Sequence, residues 1–146
     1  MAGPQFFTPR SVRPSRPRRR FTLEQAIKSL PLVRRIVGDI VRTHAEAAML
    51  QQQHERAGAR DQKPLQGRLE QVMHRLEDYV DELSEIGCEL KDYQVGLIDF
   101  TGRHQGRDIC LCWKLGEETI THWHELNTGF AGRKPVSLLQ QGPSSK

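Results

Sequence analysis

The sequence is poor in the features that would make a secreted or membrane protein. Three cysteines in 146 residues is an odd number, and two of them stand in a C-x-C spacing, so they do not form a disulfide framework. A reducing compartment fits that usage. No apolar run approaches the roughly 18–20 residues a membrane span requires. Phe6-Phe7 is the longest apolar run near Met1, so a signal-peptide core is also missing. The chain shows no internal repeat. Only 36% of it is apolar and 6% aromatic, which leaves material for one modest core.

Acidic residues are missing from the first 20 positions, which hold six arginines (Arg10, Arg13, Arg16, Arg18, Arg19 and Arg20) and four prolines. The remaining 126 residues carry 16 bases against 18 acids, so the basic balance belongs to this arm. Prolines forbid a continuous helix there and the arginines repel one another. Residues 1–20 are therefore expected to be a disordered Arg/Pro-rich arm, with nucleic-acid or other polyanion contact as its functional reading. Residues 21–139 are expected to be a single α+β domain, and residues 140–146 a loose tail.

Helical period dominates the first half of that domain. Thr22 with Gln25 makes a capping box behind Phe21. Pro31 reads as a break, giving a short helix to about Ser29 and a new one starting at Pro31, with one kinked helix as the alternative. Val33, Ile36, Val37, Ile40, Val41, His44, Ala45 and Ala48 then form one stripe. Gly58 and the stretch from Asp61 to Pro64 separate it from a helix over about residues 65–86, whose stripe runs from Leu69 to Ile86 and ends at Gly87. These make a long antiparallel helical hairpin. Stripes longer than a small sheet can cover predict a homodimer through the long helices, in the manner of a coiled coil.

The second half alternates at the period of strands. Cys88–Asp92, Val95–Phe100, Ile109–Leu115 and Thr119–Leu126 read as a small antiparallel sheet, with 101–106 a polar loop and Gly116-Glu117-Glu118 a three-residue turn. With Glu117 central in that turn, facing positions sum to 234. Cys110 then faces His124 and Cys112 faces His122, all four on one side of the sheet. Two cysteines and two histidines on one face are zinc-type donors, but a flat C-x-C separates the thiolates. Small core cysteines and hydrogen-bonded histidines are the ordinary alternative.

A Cys112–His124 nucleophile and base would be diagonal neighbours about 7 Å apart at Cα level, with no third residue to orient them. The H-E-x-x-H pattern is absent, since Thr128 stands where the second histidine would. No catalytic residue is assigned. Lys114, Glu117, Glu125 and Arg133 gather near both tryptophans. They suggest a small polar pocket formed by Cys112, Trp113, Lys114, Glu117, Trp123, His124, Glu125 and Arg133.

The stretches F-T-L-E-Q-A, L-P-L-V-R-R-I-V, E-L-K-D, G-L-I-D-F, L-C-W-K-L-G-E, W-H-E and G-F-A-G-R-K-P carry a resemblance. They are similar to the bacterial domain-of-unknown-function family 2203 over residues 21–136. The resemblance implies a bacterial, cytoplasmic protein and names no activity. Its pattern includes Gly96, Asp99, Phe100, Cys112, Trp113, Lys114, Gly116, Glu117, Trp123, His124, Glu125, Gly129, Phe130, Gly132 and Arg133, while Cys110 and His122 lie outside it. The leading expectation is a non-enzymatic binding or interaction module without a cofactor. The alternatives are a small-ligand or metal (zinc) site on the hairpin, possibly catalytic, and nucleic-acid contact through the arm.

Overall fold

A computed structural model describes residues 19–140. Most of the arm (residues 1–18) and the last six residues lie outside that range, and so do the expectations made for them. Helix α1 spans Leu23–Arg56 and α2 spans Ala59–Ile86. Five strands follow: β1 Cys88–Asp92, β2 Leu97–His104, β3 Arg107–Lys114, β4 His122–Glu125 and β5 Lys134–Pro135. They form one antiparallel sheet in sequence order, and a short helix, α3 Ser137–Gln140, ends the described chain. The architecture is α+β, a helical hairpin followed by a meander.

Helix α1 starts as its sequence demands. The Thr22 hydroxyl accepts from the Gln25 amide at 3.0 Å, and the Gln25 side chain accepts from the Thr22 amide at 3.0 Å. Phe21 is then fixed twice: its amide donates to Thr101 O at 2.8 Å, and its ring meets Phe100 edge-on at 5.0 Å.

Pro31 does not break the helix, contrary to the two-helix expectation. It is exposed, so its missing donor falls on the water side while Leu30 and Val33 stay in the core. Pro64 is likewise exposed and sits inside α2, which starts at Ala59 rather than near Leu65. Ala57 and Gly58 alone join the helices, and Gln62 Nε2 reaches back to Ala57 O at 3.4 Å. At ~1.5 Å per residue the helices are about 51 and 42 Å long.

One face of the sheet packs on the helices nearest its own end of the hairpin. Ile98, Phe100, Ile109, Leu111, Trp113 and Trp123 meet Val33, Val37, Ile40, Leu76 and Leu83 in the main core. Ala47, Leu50, Leu69 and Val72 make a second cluster toward the hairpin tip.

Two strand boundaries also differ from expectation. β2 runs through the supposed loop to His104 and turns at Gln105-Gly106, both with positive φ (54° and 80°), the geometry of a tight hairpin turn. β4 is only His122–Glu125, because Ile120 leaves the strand and buries itself at 2% exposure. The wider loop is fastened by Trp113 Nε1 donating to Glu117 O at 3.0 Å and Arg34 donating to Glu118 O at 3.0 Å.

The tightest backbone approach is at Gly96, in the β1–β2 turn. Its φ is +77°, and a Cβ there would lie 2.8 Å from Val37 Cγ1 and 2.9 Å from Leu115 Cβ. Gly106 has a similar φ of +80° with open space around it. Gly96→Ala is expected to cost roughly 2–4 kcal/mol, strain plus overpacking, against about 1–2 kcal/mol for Gly106→Ala from strain alone. Urea titration of both variants measures the difference, and equal losses would show that the α1–sheet contact at Gly96 is not tight.

Candidate functional site

The second face of the sheet has a different chemistry from the first. β3 is buried at five consecutive positions, Ile109–Trp113, so its odd-numbered side chains enter the helix-facing core and Cys110 and Cys112 enter the opposite side. Cys112 pairs with Asp99 of β2 and with His122 of β4, while Cys110 pairs with Thr101 and His124. The facing pairs of β3 and β4 are those of the three-residue turn, even though the loop is longer. Asp99, Thr101, Cys110, Cys112 and His124 are all buried on this side.

Three of them converge. One donor atom each of Asp99, Cys112 and His124 lies within 4.8 Å of the other two. His124 Nε2 stands 3.2 Å from both Asp99 oxygens, although their strands flank β3 on either side. The side chains therefore close over β3, beside the Cys112 sulfur. The residue that sequence reasoning left out of its candidates is Asp99. Its signal was present as an acid inside the apolar run Leu97–Phe100, but the β2–β3 register that brings it to Cys112 was not.

Proton placement at His124 follows from its partners. Nδ1 lies 2.7 Å from the Glu125 carbonyl oxygen, which can only accept, so Nδ1 carries the proton. Nε2 and the Asp99 oxygens, 3.2 Å apart, share one further proton, and release of that proton leaves Nε2 a lone pair beside a carboxylate and a thiol. Burial raises the Asp99 carboxyl above its ordinary range, and the charge of His124 opposes that rise. Burial also pushes the Cys112 thiol up to about 12, with Asp99 and Glu117 adding to the rise and Arg133 acting against it.

The other candidates are distributed around this centre. His122 Nδ1 is 2.8 Å from Thr121 Oγ1 and is not among the three converging donors. Cys110 is buried on the same face as Cys112. Trp113 and Trp123 lie on the helix-facing side, 0% and 3% exposed. Glu117 accepts from the Lys114 amide at 2.9 Å and meets Arg133 at 3.8 Å. Glu125 is drawn to the far end by Arg107, at 2.7 and 3.0 Å, and by Lys134 at 3.7 Å. Arg10, Arg13, Arg16 and Arg18 lie outside the described residues. Arg20 makes a two-pronged pair with Asp108 at 2.8 and 3.2 Å, and Arg19 donates to Ile86 O at 3.2 Å.

The family model described as "Uncharacterized conserved protein (DUF2203)" matches residues 19–136, and the chain belongs to that family. No curated protein and no solved structure matches it. Among the described residues, no helix is long and apolar enough to cross a membrane.

A raised thiol pKa and full burial predict inert cysteines. In the metal-free native protein at neutral pH, Cys88 (thiol also raised to about 12) and Cys112 should react with a disulfide reagent such as dithionitrobenzoate only as the chain unfolds. Labelling of Cys112 that outpaces unfolding, followed by mass spectrometry of its peptide, would show an accessible thiolate instead.

Proposed function

We propose that this member of the DUF2203 family is a non-enzymatic metal-binding module, in which Asp99, Cys112 and His124 hold one zinc-class divalent cation. The observation that supports this most is the commitment of His124 Nδ1 to the Glu125 carbonyl, which leaves Nε2 as the donor facing the other two groups. A metal-bound histidine commonly donates its other nitrogen's proton to a carbonyl or carboxylate, which fixes the tautomer and the ring orientation. Imidazole nitrogen, thiolate sulfur and carboxylate oxygen are zinc donors, with bonds of about 2.0–2.3 Å, so donors within 4.8 Å of one another need little contraction to share one ion.

Electrostatics support the same reading. Without a cation, the thiolate of Cys112 faces both burial and the nearby carboxylates of Asp99 and Glu117. A divalent ion reverses those penalties and favours the deprotonated thiol. Three protein donors leave the fourth position of a tetrahedron to a small exogenous ligand such as water. All three residues are less than 5% exposed. In this reading the ion ties β2, β3 and β4 together rather than serving a substrate.

Catalysis by a Cys112 nucleophile is less well supported. A cysteine–histidine–acid triad needs one imidazole nitrogen for the acid and the other for the thiol. Here one nitrogen faces both, and the second is occupied by a backbone carbonyl.

Zinc or cobalt(II) titration of the metal-free full chain tests the proposal. One cobalt per chain is expected, with a thiolate-to-cobalt charge-transfer band that Cys112→Ser abolishes and with a raised unfolding midpoint. Cobalt spectra identical in wild type and Cys112→Ser, or no uptake by a chain shown to be folded, would contradict it.

A further inference from the structure

The end of α2 violates the usual charge preference of a helix. Between Leu76 and Gly87 it carries Glu77, Asp78, Asp81, Glu82 and Glu85 and no base, although the C-terminal end of a helix dipole favours cations. Beside it, between α1 and α2, lies a groove of about 580 Å3. Its apolar lining includes Leu32, Ile36 and Tyr79, and its charged lining is Asp39, Glu82 and Glu85 against Arg35. Asp39 pairs with Arg42, whereas Glu82 and Glu85 have no basic partner among the described residues. Leu32, at the mouth of the groove, is 45% exposed.

The described chain begins at this end of α2. Arg19 Nη1 donates to Ile86 O at 3.2 Å, and its guanidinium lies 4.5 Å above the Phe21 ring. Ile86 itself lines the groove. Eighteen residues precede Arg19, and within them Arg10, Arg13 and Arg16 recur at its own spacing of three. Three residues per turn is the repeat of an extended polyproline-type chain, and Pro14 and Pro17 favour that backbone. Such a chain presents those arginines on one side, at ~3.1 Å per residue, and the nine steps from Arg10 to Arg19 would span about 28 Å. The seven steps from Tyr79 to Ile86 cover about 10 Å of helix, so the reach is ample.

We infer that the N-terminal arm docks in its own chain's acidic groove, its arginines against Glu82 and Glu85 and its Val12 and prolines against Leu32, Ile36 and Tyr79. The arm supplies the cations that the α2 end lacks, and Arg19 is the first of them, already in contact. Its charge is thereby used inside the molecule rather than on a nucleic acid.

A nitroxide attached at Ser11→Cys in the full chain tests this, with the native buried cysteines checked for labelling in wild type. In a dilute sample at about 0.01 M salt, amides of Tyr79–Ile86 should lose intensity relative to the reduced nitroxide, and should recover it at about 1 M salt, where charges more than about 3 Å apart are screened. Glu82→Lys with Glu85→Lys should remove the effect, and adding Arg13→Glu with Arg16→Glu should restore it. Unaffected α2 amides at low salt would overturn the inference. So would broadening that appears only when spin-labelled and isotope-labelled chains are mixed, since the arm would then be reaching a second copy. Short nucleic acid that binds the arm while the α2 amides stay broadened would likewise overturn the inference, since the arginines would then be free of Glu82 and Glu85.

Discussion

A strand buried on both faces must satisfy two neighbourhoods at a period of two, and β3 does so with opposite chemistries. Ile109, Leu111 and Trp113 supply the apolar side against which the helices pack, while Cys110 and Cys112 supply the other. Burial on that second side is costly for polar groups unless each is matched. Asp99 and His124 match one another over β3, and the Cys112 thiol completes the cluster. The alternation thus links core and site: a slip of one residue in β3 would turn Trp113 away from the helices and Cys112 into them.

The arrangement also fixes what the site can do. His124 is held from behind by its own strand, through the Glu125 carbonyl, so the ring is not free to exchange its two nitrogens. That holds Nε2 in a fixed direction, which suits a ligand to an ion. Around this centre the charged residues pair off, Glu117 with Arg133 and Glu125 with Arg107 and Lys134. The tryptophans serve the helix-facing core instead.

Much of this was legible in the sequence, for reasons that can be named. The capping box at Thr22–Gln25, the left-handed Gly87 and the apolar stripes are local signals, and the helical hairpin followed from them. Pairing of Cys110 with His124 and Cys112 with His122 followed from hairpin arithmetic and survived a longer loop. What failed was exposure and distance. Pro31 looked like a break because the rule counts a lost donor without asking whether it faces water. The Gln105-Gly106 turn lacks the Asn-Gly or Asp-Gly signature by which a sequence marks a tight hairpin. Asp99 could not be joined to the cluster, because its register with Cys112 is set by the β2–β3 turn and not by spacing within the β3–β4 hairpin.

The metal binding proposed at Asp99, Cys112 and His124 depends on where the His124 proton sits, and long-range 1H–15N NMR of the imidazole nitrogens reads that directly. Nδ1 should show a protonated nitrogen, both in the metal-free chain and after zinc is added, while Nε2 alone should shift on zinc addition to the position of a metal-bound nitrogen. An unprotonated Nδ1, or an Nε2 signal that zinc leaves unmoved, would contradict it.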